Sequence, residues 1–260
     1  MPPVRDDYCP PAIYDVIYAD IVSDVAFWVE QARAAGGPVL EVACGNGRVL
    51  VPCAEAGVAI DGLDISESMV EALRGKLAAK GLRADAGVAD MRAFARPRRY
   101  PLVFIAFNSF LHNLTQEDQL ATLRRCLDHL APGGRFMMNI FHPSQRILLE
   151  NDGAPRLSKS LPLPGGGTAR VTDTRTGDPV AQINHTRRQL EVLDAAGRVT
   201  ATHAFEYDIR YIYKPEMELL FAAAGFRRVA VEARTPYTQG FGAKPTIEGG
   251  DALVWTAWKD

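Results

Sequence analysis

Apolar positions recur along this chain at two periods, and the changes of period mark its elements. Between 10 and 35, Ile13, Ile17, Ile21, Val25, Trp28 and Val29 fall mostly three or four apart, which predicts one amphipathic helix ended by Gly36-Gly37-Pro38. The run 39–43 then reads as a short buried strand. A helix over 48–56 follows, closed by Gly57, with Pro52 early enough to kink it or delay its start. A second strand spans 58–63 and ends at Asp64. Ser68-x-x-Glu71 has the form of a capping box, which opens a helix that runs to Lys80 and stops at Gly81. Strands at 86–89 and 102–107 follow, then a helix from Thr115-x-x-Asp118 to about Leu130. The turn Pro132-Gly133-Gly134 leads into a fifth strand, 135–141.

The rhythm breaks after Phe141. Strand-like segments at 169–175, 180–193 and 199–213 read as antiparallel, with Asp194-Ala195-Ala196-Gly197 as a hairpin turn. The alternation returns with a helix from Pro215 to Gly225 and strands at 227–233 and 252–258. Strands alternating with helices imply a parallel sheet with right-handed crossovers. No helical pattern separates the last two strands, which favours an antiparallel pair there. The expected organisation is one α/β domain made of 1–141 and 213–260, interrupted by a β-rich segment, 142–212, that covers the substrate.

Composition narrows the functions. The chain has 260 residues, 47% of them hydrophobic, and a net charge of −2, so it can bury a core without metal or disulfide support. No basic field marks a nucleic-acid surface, and Arg96, Arg98 and Arg99 are interrupted by Pro97. Cys9, Cys44, Cys53 and Cys126 lack CxxC spacing, so no metal site is expected. Neither a membrane-length apolar run nor a secretory leader is present, so the expectation is a cytoplasmic protein with no membrane or nucleic-acid partner.

Three acids, Glu41, Asp64 and Asp90, stand at or near the ends of three successive strands, where open α/β sheets bind ligands. Gly45 and Gly47 let the backbone approach a ligand closely. Asp64 is placed to accept two ribose hydroxyls, and Asp90 an adenine amino group. Met69 and Met91 suit the faces of an aromatic ring. Each has a structural reading as well: Asp64 as a helix cap, the methionines as core. A nicotinamide dehydrogenase would want Gly-x-Gly-x-x-Gly, but Gly45-x-Gly47-x-x leads to Leu50.

Val39-Leu40-Glu41-Val42-Ala43-Cys44-Gly45-Asn46-Gly47 resembles the first motif of class I S-adenosylmethionine-dependent methyltransferases. Gly62-Leu63-Asp64-Ile65-Ser66 with Met69, then Ala89-Asp90-Met91, then Leu130-Ala131-Pro132-Gly133-Gly134, are similar to later motifs of that family. Ala43 departs from the glycine common there. The resemblance covers about 10–141 and 213–258. It implies a Rossmann-like seven-stranded methyltransferase sheet with helices on both faces and the antiparallel β element inserted. It also implies S-adenosylmethionine as cofactor, leaving as S-adenosylhomocysteine. Glu41, Ala43, Cys44, Gly45, Gly47, Asp64, Ile65, Met69, Ala89, Asp90, Met91 and Phe107 would line the cofactor, with Tyr14 at its methionine end.

Methyl transfer needs alignment more than a strong base when the acceptor is a neutral amine. His112 is the candidate proton acceptor or orienting group, Asn108 either orients the acceptor or binds main chain, and Tyr18 joins them from a lid-like first helix. His112 also reads as a structural histidine, and Tyr14 and Tyr18 as helix packing. Tyr8, His142, Arg175, Tyr207 and Tyr211 are the candidate substrate residues, with Tyr207, Tyr211 and Tyr213 expected on one strand face. The same aromatic face also suits a homodimer interface. An insert between the fifth strand and the next helix is similar to that of glycine, sarcosine and amino-sugar N-methyltransferases. The implied reaction is therefore methylation of a small-molecule amine, with O-methylation of a hydroxylated metabolite as the alternative. A nicotinamide oxidoreductase and a non-catalytic S-adenosylmethionine-binding protein are the readings from other classes.

Overall fold

The computed structural model of the chain describes residues 9–163, 166–234 and 252–260. Two compact units emerge from their contacts: one joins the residues up to Asp20 with Pro143–Tyr211, the other holds Ile21–His142 and Ile212–Asp260. The sequence reading had joined the first residues to the parallel sheet; by contact they group with the antiparallel segment instead.

The larger unit is a seven-stranded sheet between two layers of helices. Its strands are β1 (Val39–Val42), β2 (Ile60–Asp64), β3 (Asp85–Val88), β4 (Tyr100–Ile105), β5 (Leu130–Phe141), β10 (Arg228–Arg234) and β11 (Ala252–Trp258), in the order β10-β11-β5-β4-β1-β2-β3. β1 is buried along its whole length and pairs in parallel with β2 on one side and β4 on the other. β11 runs antiparallel to both β5 and β10, in keeping with the antiparallel last pair that the sequence pattern favoured.

Alternate residues of the central strands feed two cores. One face packs α2 (Val25–Ala34), α3 (Leu50–Glu55) and α4 (Glu67–Ala79) through Trp28, Leu50, Val70, Leu73, Phe104 and Val254. Trp28 lies stacked on Phe104, with ring centroids 4.9 Å apart. Aromatic contacts tie β5 and β11 to α7 (Lys214–Ala224) through Phe136, Phe221, Phe226 and Trp255. α5 (Gln116–His129) packs beside α7 and begins at Thr115, whose hydroxyl accepts from the Asp118 N–H as the sequence anticipated.

The single helix expected over 10–35 is two: α1 (Pro11–Ile17), in the smaller unit, and α2. A tertiary ion pair overrides the local period there. Asp24, fully buried, holds the Arg48 guanidinium through two bonds of 2.6 and 2.7 Å, and Arg48 also donates to the Ile21 carbonyl. That carbonyl is thereby satisfied without a continuing helix turn. The α4 cap also differs from expectation. It is Ser66, not Ser68, because Ser66 Oγ accepts from the Met69 N–H.

The smaller unit contains α1, α6 (Gln145–Leu149) and a four-stranded antiparallel sheet: β6 (Asp152–Pro162), β7 (Thr168–Asp178), β8 (Ile183–Leu193) and β9 (Val199–Arg210). The sequence reading missed β6, an edge strand with few apolar residues, interrupted by Gly153 and Pro155. β9 ends at Arg210, so the strand alternation expected to align Tyr207, Tyr211 and Tyr213 does not reach the last two. Tyr211 is buried in this unit, while Tyr213 caps α7 in the other.

No helix among the described residues is long and apolar enough to cross a membrane. Replacing Arg48 by Met should cost about 3–5 kcal/mol, because it leaves a buried, uncompensated Asp24. Urea unfolding at neutral pH measures this, and a loss below 1 kcal/mol would contradict the pair's assigned role.

Candidate functional site

The carboxyl ends of β1, β2 and β4 form the candidate site, and each leaves the sheet through unusual backbone. After β1 the chain passes through Ala43 at φ 58°, Gly45 at φ 53° and Gly47 at φ 90°. Left-handed backbone is strained for a residue with a Cβ, so Ala43 stores about 1–2 kcal/mol that glycine would not. A Cβ on Gly45 would point into open space, whereas one on Gly47 would come within 2.5 Å of Leu73 Cδ1 and 2.8 Å of Val51 Cγ2. Gly45 therefore keeps the loop surface clear, and Gly47 lets the loop sit down on α3 and α4.

Asp64, at the end of β2, organises this loop. Its carboxylate accepts from the Gly45 N–H at 2.7 Å and from the Ser66 N–H at 3.0 Å. It is a loop clamp rather than the cap of α4. Ile65, one residue on, is 36% exposed, and Val88 at the end of β3 is half exposed. The Ala89 N–H donates to the Asp64 carbonyl at 2.8 Å, which draws the ends of β2 and β3 together.

Glu41 is buried, and its Oε2 has no hydrogen-bond partner among the described residues. Burial pushes its carboxyl well above the usual range; Arg48 opposes this, while Asp24 and Asp64 add to it. Cys44 is buried beside it, and its thiol is likewise pushed well up by burial and by Asp64 and Glu41.

After β4 the backbone takes two successive left-handed residues, Phe107 at φ 58° and Asn108 at φ 64°. Asn139 of β5 holds this turn, its Oδ1 accepting from the Phe107 N–H at 2.9 Å and its carbonyl from the Asn108 N–H at 3.1 Å. Asn108 answers with its own Oδ1, which accepts from the Phe141 N–H at 2.7 Å. Of the two roles open to Asn108, the structure shows the main-chain one. Arg48 lies over the Phe107 ring, 4.4 Å from its centroid. His112 ends the 3-10 turn Ser109–His112 and is exposed, whereas Phe110 and Leu111 beside it are buried.

Asp90 differs most from its expected role. Arg92 wraps its carboxylate with the backbone N–H, Nε and Nη2 at 2.6–3.0 Å, and bridges to Asp118 at 3.0 Å. Burial alone would raise the Asp90 pKa, but the Arg92 hydrogen bonds and charge win and lower it. Its acceptor capacity is largely committed to Arg92. Met91 accepts at 3.4 Å from Asn113, and Met69, in the first turn of α4, is buried.

The remaining candidates fall apart by unit. His142 ends the first segment of the larger unit half-buried, and its Nδ1 has no partner among the described residues. Tyr14, Tyr18, Arg175, Tyr207 and Tyr211 belong to the smaller one, and Tyr8 lies outside the described residues. There, Arg188 reaches from β8 to Asp173 on β7 and to the Tyr18 hydroxyl on α1.

Residues 39–134 match the family model described as a methyltransferase domain. The chain carries a methyltransferase domain of the S-adenosylmethionine-dependent kind. It is 28% identical to a cypemycin N-terminal methyltransferase of a Streptomyces species, over 88% of this chain and 94% of that one. It is 26% identical to a dTDP-3-amino-3,6-dideoxy-alpha-D-glucopyranose N,N-dimethyltransferase of Streptomyces fradiae, over 82% of each. Among solved structures it resembles the CcbJ methyltransferase of Streptomyces caelestis, with 26% identity, a TM-score of 0.69, and 98% of this chain and 92% of that one covered. In the loop after β1, a left-handed glycine opens onto free space and a carboxylate clamps its N–H, while the buried Glu41 Oε2 has no partner among the described residues.

Sequence reasoning passed over four residues that build this enzyme's frame: Asp24, Arg92, Asn139 and Arg188. Asn139 was visible as the polar residue inside the apolar run Phe136–Phe141. The other three depend on partners far along the chain, or on a side chain folding back.

Glu41 ties stability to pH with a definite sign. Its folded-state carboxyl holds a proton above the pH at which the unfolded chain releases it. Stability is therefore fullest at acid pH and declines as pH rises through that window. Glu41→Gln should flatten the decline, so that the mutant gains on the wild type as pH increases in urea titrations. Parallel curves would contradict a protonated Glu41.

Proposed function

We propose that this methyltransferase transfers the methyl group of S-adenosylmethionine to an amine nitrogen of a small natural-product molecule. The observation that carries this reading is that three curated relatives spanning more than four-fifths of the chain are named for methylation at an N-terminus or of an amino sugar. Asp64 would take the ribose hydroxyls, Ile65 and Val88 the adenine faces, and the Gly45 loop the close approach of the methionine part. Glu41 and Cys44 would lie beneath that loop. The bound cofactor supplies a methyl carbon activated by its sulfonium.

The protein's own residues then orient and desolvate. Phe107 and Asn108, fixed in their left-handed turn, shape the wall after β4. Such fixed geometry is worth up to ~7–11 kcal/mol of the barrier when the reacting atoms are aligned. A neutral amine needs no strong base in order to attack, whereas a hydroxyl does. His112 is the candidate base for the alternative, O-methylation. Asp90, held by Arg92, would meet adenine only through whatever acceptor capacity Arg92 leaves. Tyr14 and Tyr18 from α1, with Tyr8, His142, Arg175, Tyr207 and Tyr211, are the proposed acceptor-side residues. The inserted segment, 142–212, acts as the substrate cover. The reading extends to a cytoplasmic enzyme that works on a free small molecule, without nucleic acid or membrane.

Asp64→Ala should weaken S-adenosylhomocysteine binding by about 1–3 kcal/mol, through ribose hydroxyls left unpaired. Calorimetry measures it, and unchanged affinity would displace the cofactor site from the end of β2. For the acceptor, methyl transfer to a dTDP-3-amino sugar and to a free-N-terminal peptide is expected to exceed transfer to catechol. Transfer to catechol alone would establish the oxygen acceptor instead.

A further inference from the structure

The larger unit carries a cavity of about 660 Å³ at the end of its sheet opposite the candidate cofactor loop. It is formed where the second half of α4 and the loop after it meet the amino ends of β2 and β3. Asp61 lines it, whereas Asp64, which clamps the cofactor loop, stands three residues further along β2, ~10 Å away. Ile60, Leu77 and Leu82 give the cavity an apolar wall, and the first two are buried. A volume of this size, with apolar walls and a few convergent polar groups, is what a small-molecule site requires.

The charged side chains of the cavity do not balance. Asp61, Arg74, Arg83, Asp85 and Arg98 line it. Asp85 is matched by Arg96, whose Nη1 donates to it at 2.8 Å. Asp61 accepts from the Tyr100 hydroxyl at 2.8 Å and is matched by Arg98, whose Nε stands 3.6 Å away. That distance makes an ion pair but not a hydrogen bond, so the Arg98 N–H groups stay unspent. Arg74 gives Nε and Nη2 to the neutral Ala86 carbonyl, at 3.1 and 2.7 Å. Its Nη1 has no partner among the described residues, and no carboxylate pairs with its charge there. Arg83 is exposed and has neither a hydrogen bond nor an ion pair among the described residues. With each carboxylate assigned its own guanidinium, Arg74 and Arg83 remain, a surplus of two positive charges. α4 ends at Ala79, and its carboxyl terminus offsets only about half a charge. The surplus is also permanent, because arginine does not lose its proton in a folded protein.

We propose that this cavity is a second ligand site, which takes a small phosphate monoester with an apolar body. A phosphate monoester carries close to two negative charges above neutral pH and presents three acceptor oxygens. Planar guanidiniums with unspent N–H groups meet such oxygens in pairs. Ala86 already holds the Arg74 guanidinium in place, so little side-chain freedom is lost when its Nη1 meets the ligand. The apolar body covers Leu77 and Leu82. Asp61 opposes an anion, but its side chain is only 10% exposed and its charge is met by Arg98 and the Tyr100 hydroxyl. The proposal is independent of the amine reading, since no residue of the cavity belongs to the cofactor loop.

The test titrates phenyl phosphate, inorganic phosphate and benzyl alcohol into the 15N-labelled full chain at low salt and mildly alkaline pH. Phenyl phosphate should shift the amides of Leu82, Arg83 and Ala84 saturably, at concentrations at least tenfold below those that inorganic phosphate needs. Benzyl alcohol should leave them in place. Arg83→Glu changes only an exposed side chain, and it should weaken the phenyl phosphate response at least tenfold while the melting shift with S-adenosylhomocysteine is kept. Arg74→Gln, which retains a donor for Ala86 and removes the charge, should weaken it in the same direction. Amides that stay in place with phenyl phosphate overturn the proposal. So do amides that move as readily with either of the other probes, or that respond unchanged in Arg83→Glu. None of these results bears on methyl transfer, so failure here is distinct from failure of the proposed function.

Discussion

The central strand β1 is buried on both faces and paired on both edges, so the chain that leaves it has little room to turn. It escapes through three left-handed positions in five residues, two of them glycine and one an alanine that bears the strain. The Asp64 carboxylate holds that exit open from the neighbouring strand. Glu41, Arg48 and Asp24 are ordered around the same exit, and Arg48 carries the effect on to Phe107 after β4. The candidate cofactor site is in this sense the consequence of a topological problem, the place where adjacent parallel strands must all turn away.

Electrostatics complete the frame differently in the two units. In the larger one, Arg48 lies amid three carboxyl groups, and burial together with Asp24 and Asp64 pushes the Glu41 carboxyl up, with Arg48 opposing. In the smaller one, Asp173 lies between two guanidiniums, and Glu150 pairs with the second of them, Arg175. Both follow from side chains whose partners are far away in sequence.

The alternation of strands and helices, the reversed last strand and the inserted antiparallel sheet were legible because periodicity and turn chemistry are local. Thr115 and Gly225 ended up where the sequence placed them, as α5 cap and α7 stop. What was not legible turned on long-range partners. The break between α1 and α2 needs Arg48, and the apolar period across 13–29 gives no hint of it. Ser66 displaced Ser68 as the α4 cap because Asp64 had already fixed the Ser66 backbone. β6 lacked the apolar alternation of a half-buried strand, since it lies at an edge. Asp64 was found correctly at the end of β2. The commitment of Asp90 to Arg92 was missed, because a side chain that folds back two residues leaves no periodic trace.

The most direct test of the account is thermal unfolding of the chain with S-adenosylhomocysteine and, separately, with NAD. A ligand present at about 100 times its dissociation constant adds about 2.7 kcal/mol to the folded state, which for a chain of this size raises Tm by roughly 5–10 °C. The account predicts that rise with S-adenosylhomocysteine and none with NAD. A rise with NAD alone would contradict it.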